Sequence, residues 1–113
     1  MSEVIEEAVP LSTSAEALSQ LKPRELARQQ RELLECVVAA MRHGAQDLTR
    51  TELRDFYERT YGRRIDSNRV SARVIELLRA GRLHVRAQAR TCSVTKRQVE
   101  ALYVTPEQQR MFA

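Results

Sequence analysis

The chain has almost no glycine: three residues in 113, at Gly44, Gly62 and Gly81. A loop that cradles phosphate needs two or three glycines within a few positions, so the nucleotide-binding glycine loops are excluded. The G-x-S-x-G and H-E-x-x-H patterns are also missing, and the acidic residues show no pairing suited to general acid–base work. A protein that is not an enzyme and carries no cofactor is expected. Aromatic residues are few, with two Phe, three Tyr and no Trp. That leaves no ladder for stacking unpaired bases and ranks RNA last among partners. Two cysteines, Cys36 and Cys92, make no disulfide framework. With His43 and His84 they would supply four zinc ligands. No two of them stand at C-x2–4-C or H-x3–5-H spacing, however, and no metal is expected. The longest unbroken apolar run, Cys36 to Met41, is far short of the ~20 residues of a membrane span. The opening MSEVIEEAVP is acidic and lacks the basic-then-apolar layout of a signal peptide. A cytoplasmic protein with no membrane partner is expected.

What the chain does have is basic charge, unevenly placed. Residues 48–98 hold 13 Lys and Arg against 5 Asp and Glu, whereas residues 1–47 hold 5 against 8. Of the 19 basic residues, 17 are Arg. The guanidinium fork donates two hydrogen bonds at once, which suits phosphates and guanine edges. The positional bias points to a polyanion contact in the second half of the chain.

The same stretch carries the clearest structural signals. Thr49 followed by Glu52 is a capping box, and Leu53, Phe56, Tyr57 and Tyr61 give an amphipathic helix that Gly62 stops. Asp66 caps a further helix, with Ile65 and Val70 as a hydrophobic staple and Gly81 as its stop. Its core face is Val70, Val74, Leu77 and Leu78. Asn68, Arg69, Ala72, Glu76 and Arg79 point away, with Arg73 on the flank. Upstream, Pro23 opens the longest helix, whose apolar face is Leu26, Leu33, Leu34, Val37, Val38 and Met41. Helices are predicted near 23–42, 50–61 and 67–80. From Leu83 the period changes to 2, with Leu83, Val85, Ala87 and Ala89 alternating with His84, Arg86, Gln88 and Arg90. Cys92 and Val94 continue the pattern into a second strand. Thr95 to Gln98 reads as a turn and Val99 to Val104 as a third strand. Thr105, Pro106 and Gln108 start a short last helix. The organisation is a tail and short helix over 1–22, a domain over 23–105, and a C-terminal helix over 106–113. The expected fold is mainly α with a small β-wing: a three-helix core plus an antiparallel hairpin or meander, in the order of a winged helix-turn-helix.

Residues 33–104 resemble the small winged helix-turn-helix proteins of bacteriophage and prophage genomes. The likeness rests on VSARVIELLRAGRL (Val70 to Leu83) and RTCSVTKR (Arg90 to Arg97). The pattern departs at Lys96, where the family turn has glycine, and in a longer turn between the second and third helices. The resemblance implies a DNA-binding protein, serving transcriptional regulation or DNA replication. Helix 67–80 would read duplex DNA, while helix 50–61 and the wing would hold phosphates.

The candidate base-contacting residues are Ser67, Asn68, Arg69, Ala72 and Arg73. Asn pairs bidentately with adenine and Arg with guanine. Arg73 has two other readings, an ion pair with Glu76 or an anchor across the second helix. The candidate phosphate and wing residues are Arg50, Arg63, Arg64, Arg86, Arg90, Lys96 and Arg97. Double-stranded DNA is the expected partner, with a homodimer through 23–42 or 106–112. The competing reading is a winged helix that binds another protein and no DNA.

Overall fold

The computed structural model describes residues 22–112. The tail and the short helix expected over 14–21 lie outside the described residues. Three long helices and one short one form around a small antiparallel sheet: α1 (Pro23–Arg42), α2 (Arg50–Tyr61), α3 (Ser67–Arg79), β1 (His84–Val85), β2 (Arg90–Thr91), β3 (Gln98–Val99), β4 (Leu102–Tyr103) and α4 (Pro106–Arg110). No helix among the described residues is long and apolar enough to cross a membrane.

The helix ends follow from local chemistry. Pro23 sits in the first turn of α1, where its missing N–H leaves nothing unpaired. At α2 both halves of the capping box form. Thr49 Oγ1 accepts from Glu52 N at 3.2 Å, and Glu52 Oε1 accepts from Thr49 N at 3.0 Å. Gly62, at φ 65°, takes the left-handed conformation that ends α2 without a Cβ clash. Asp66 Oδ1 accepts from Arg69 N at 2.8 Å and starts α3.

The three helices close on one apolar core. Leu33, Val37, Leu53, Val70, Val74, Leu77, Leu83, Leu102 and Val104 are all buried within it. Ile65 and Val70, the expected staple pair, are both buried, and Leu78 packs on the cluster from its edge. Leu26 is half-buried and does not join, because the first turns of α1 run past the end of the core.

Arg73 is the largest departure on α3. Its side chain is 0% exposed. Position 73 lies one turn from both Val70 and Leu77, so it falls on the buried arc of the helix rather than on its flank. Charge is tolerated there because every group around it is paired. Arg73 Nε and Nη2 donate to the two oxygens of Glu76 at 2.7 and 2.9 Å, and Nη1 donates to Gln29 Oε1 of α1 at 3.2 Å. Gln30 Nε2 reaches the same Glu76 carboxylate at 2.8 Å. Glu76 thus turns toward α1 rather than outward. Burial opposes its charge, but the hydrogen bonds from Arg73 and Gln30 outweigh that and hold its pKa below the ordinary value.

The β-region is one hairpin with a break, not a three-stranded meander. Val85 pairs with Leu102 and Arg90 with Val99, so four residues, 86–89, oppose two, 100–101. The excess bulges outward. Ala87, Gln88 and Ala89 are all exposed, against the expectation that the two alanines face the core. A methyl side chain buries too little area to hold a strand down. Leu48 adds a bridge on the other edge of β4, exchanging hydrogen bonds of 2.9 and 2.7 Å with Leu102. The tip is Ser93 to Lys96, two residues earlier than the turn read from the sequence, and Val94 is exposed there instead of facing inward. Lys96 takes φ 64°, the left-handed conformation that favours glycine, with Lys96 N donating to Cys92 O at 2.9 Å. Finally α4 folds back over the end of α1: Arg42 donates to the carbonyls of Gln109 and Phe112, and Gln108 Nε2 donates to Gly81 O at 3.0 Å.

The buried Arg73 carries a test of this architecture. Arg73→Ala should lower unfolding free energy by about 2–5 kcal/mol, the range for emptying a large buried site and stranding its partner. Arg73→Met, which keeps the volume, should cost clearly less. Urea unfolding of both variants measures this. An Arg73→Ala protein as stable as the parent would remove Arg73 from the core.

Candidate nucleic-acid interface

The sequence-derived site residues divide by what they touch. Arg63, though exposed, is paired within the fold. Its Nη2 donates to Glu32 Oε2 of α1 at 2.9 Å, and its guanidinium lies 5.9 and 5.3 Å from the ring centres of Tyr57 and Tyr61. The Tyr57 hydroxyl donates to the other Glu32 oxygen at 2.8 Å. Glu32 therefore ties α1 to both α2 and the α2–α3 connection. Burial and the Glu32 bond push the Tyr57 hydroxyl up to about 12.

Arg86 and Arg90 are likewise taken up by the fold. The bulge brings both to Asp47, in the connection before α2. Arg86 Nε lies 3.3 Å from Asp47 Oδ2, its Nη2 donates to Gln46 O at 2.7 Å, and its guanidinium stacks 4.0 Å from the Tyr103 ring centre. Arg90 Nε donates to Asp47 Oδ1 at 2.6 Å, and its Nη1 and Nη2 donate to the two oxygens of Glu52 at 3.0 and 2.5 Å. Glu52 also accepts from Ser93 N at 2.8 Å. The capping carboxylate of α2 is thus the hairpin's point of attachment. The Arg90 guanidinium, with the Ser93 and Thr49 amides, holds the Glu52 carboxyl at about 2, well below its usual value. Beneath this pair, the buried Cys92 Sγ lies 3.0 Å from Thr49 Oγ1. Arg73 is buried, as described, and is unavailable to a base edge. Carboxylates take the forks of Arg73 and Arg90, while Arg63 and Arg86 each pair with a carboxylate through one nitrogen and keep part of the side chain exposed.

The remaining residues come together. Ser67 and Asn68 stand exposed in the first turn of α3, with Arg69 and Ala72 half-exposed beside them. Arg69 keeps only a 3.9 Å approach to Asp66. Arg50, Arg64 and Arg97 make no ion pair among the described residues, and Lys96 Nζ reaches only the Ser93 carbonyl, at 2.7 Å. A groove of about 500 Å³ runs between the starts of α2 and α3 and the β3 arm, lined by Arg50, Arg54, Ser67, Ser71, Val99 and Glu100. First-turn residues of both helices, Arg50 and Thr51 of α2 and Ser67 of α3, border it, and helix starts favour oxyanions. Arg54 spans its floor, with Nε donating to Ile65 O at 2.8 Å.

Ser71, Arg54 and Glu100 were not picked out by sequence reasoning. Ser71 could have been, since it stands one turn after Ser67. Glu100 is the one acid at the groove and narrows where a phosphate can sit. A second groove, about 460 Å³, lies against the opposite face of α2 and is lined by Asp47, Glu52 and Asp55 with Arg59 and Arg90. Its acids outnumber its bases, which disfavours a polyanion there. Among the described residues no three His, Cys, Asp or Glu side chains gather as a metal site would need.

Comparison of the chain with protein-family models, with characterised proteins and with solved structures finds no match.

The attachment of the hairpin through Glu52 predicts an acid transition. A depressed carboxylate stabilises the fold fully above its ordinary pKa and loses that contribution as pH falls through the folded value. Stability should therefore drop between pH 4.5 and about 2 on account of Glu52. Glu52→Gln should be less stable than the parent at neutral pH and lose less on acidification. Thermal melts from pH 6 downward compare the two, and equal acid slopes would detach Glu52 from the effect.

Proposed function

We propose that the protein is a winged helix-turn-helix that binds double-stranded DNA, with α3 entering the major groove and α2 and the β-hairpin holding phosphates. The observation that carries this is a separation of roles among the arginines. Several are paired closely with carboxylates, while around the exposed start of α3 Arg50, Arg64 and Arg97 have no ion pair among the described residues and Arg69 keeps only a 3.9 Å approach to Asp66. Asn68 and Arg69 offer the bidentate geometries that match adenine and guanine edges. Ser67 and Ala72 complete the base-facing set, and Arg50 at the start of α2 is placed as a phosphate ligand. Lys96 and Arg97 act at the hairpin tip. The role is that of a regulator or replication accessory of the kind phage and prophage genomes encode. A homodimer through 23–42 or 106–112 would pair two half-sites and raise affinity without further contacts per subunit. Met111, 82% exposed beside α4, supplies apolar surface for the second of these.

A gel shift on random duplex DNA at two salt concentrations tests the reading. With about six phosphates held, log affinity against log salt should have a slope near −5, and Arg50→Ala should reduce its size by about 1. Absence of binding at low salt would favour the protein-binding alternative. On a selected duplex, Arg69→Ala should cost about 1–3 kcal/mol and relax sequence preference. Arg79→Ala, on the same helix but about 15 Å further along its axis, should do little. Equal losses at both positions, with preference unchanged, would leave only a general attraction to polyanions.

A further inference from the structure

The outward stripe of α3 carries little charge at its centre. Asn68, Ala72, Ile75 and Arg79 follow at i, i+4, i+7 and i+11, the spacing of one helix face. Charge beside this stripe comes from Arg69 near its start, Arg79 at its end, and Glu76, which is a third exposed but is held toward α1 by Arg73 and Gln30. Between them stand Ala72 and Ile75. Ile75 is 38% exposed, and among the described residues the other exposed large apolar side chains are Val94 and Met111, both outside helices. The buried side of α3 is already filled by Val70, Val74 and Leu77, so Ile75 is not needed for the core. Isoleucine is also a weaker helix former than the straight-chain residues that suit a solvated position. With Ala72 one turn before it, Ile75 gives the middle of the outward face an apolar character that its two ends, Asn68 and Arg79, lack.

We propose that Ile75, with Ala72 beside it, reads the 5-methyl group of thymine, so that the target duplex carries A·T pairs under the middle of α3. This rests on the reading of α3 as the groove-entering helix. The thymine methyl is the one apolar group that a base pair presents in the major groove. Asn68 lies seven residues before Ile75, roughly 10 Å along the axis. That is about the rise of three base pairs. An adenine met by Asn68 and a thymine met by Ile75 therefore fall within one short A·T-containing element. The apolar pair supplies discrimination that the free arginines, which favour guanine and phosphate, do not.

Deoxyuridine tests this, because it removes the methyl and leaves the hydrogen-bonding edge unchanged. A duplex is selected from a random library with the full chain. Each thymine of the selected site is then replaced singly. At one or two positions the wild-type protein should bind about four-fold more weakly, the equivalent of ~0.8 kcal/mol for one buried methyl. Ile75→Ala should bind the thymine and deoxyuridine forms of those positions alike, with a cooperative melting transition showing that the fold is retained. Selected duplexes whose affinity ignores every thymine methyl, or an Ile75→Ala protein that keeps full sensitivity, would overturn the proposal and leave DNA binding standing. Recovery of no duplex at low salt would overturn the DNA-binding reading and this inference together.

Discussion

One carboxylate holds two parts of the molecule in place. Glu52 completes the cap of α2 through the Thr49 amide, accepts the Ser93 amide from the hairpin tip, and takes the fork of Arg90. A cap and a tertiary attachment compete for the same lone pairs in most proteins. Here the two oxygens divide the work, Oε1 serving Thr49 and Arg90 while Oε2 serves Arg90 and Ser93. Ordering a single side chain thus fixes the start of α2 and the pose of the hairpin relative to it.

The other long-range polar contacts follow the same economy. Glu32 of α1 receives Tyr57 and Arg63, and Glu76 of α3 receives Arg73 and Gln30. In each case a partly or fully buried carboxylate has more than one donor. Buried charge persists only when its lone pairs are satisfied, and a shared acceptor satisfies them with few residues. The cost falls on the basic surface. The charge excess of residues 48–98 is large in sequence, but Arg54, Arg59, Arg63, Arg73, Arg86 and Arg90 all have acidic partners in the fold. What remains for an outside partner is smaller and concentrated near the α3 start and the hairpin tip.

The helices were legible in the sequence because their signals are local. Thr49 with Glu52, Asp66, Gly62 and Gly81 act on neighbours three or four residues away, and periodicity names the buried stripe. The fate of Arg63, Arg86 and Arg90 was not legible, since it depends on carboxylates about 30 to 45 positions distant in the chain, such as Glu32 for Arg63 and Asp47 for Arg90. Arg73 is instructive. A helical wheel places it beside Val70 and Leu77, but a charged residue there reads as a flank position until the partner Gln29 on α1 is known. The hairpin misread has a different origin. Ala87 and Ala89 alternate correctly for a strand, yet alternation of small side chains carries little energy and the chain bulges there instead.

The lead-in to α2 has a consequence for how the molecule opens. Leu48 stands in an irregular connection, where backbone amides ordinarily exchange with solvent within the fastest local fluctuations. Yet it trades both of its hydrogen bonds with Leu102, whose side chain is fully buried, and the next residue caps α2. Releasing the Leu48 amide would require β4 to part from the α1–α2 connection and the core under Leu102 to open. Protection at this one non-helical amide should therefore match that of the central helices rather than that of the loops around it. The connection between α1 and α2 belongs, in the sense of cooperative unfolding, to the sheet.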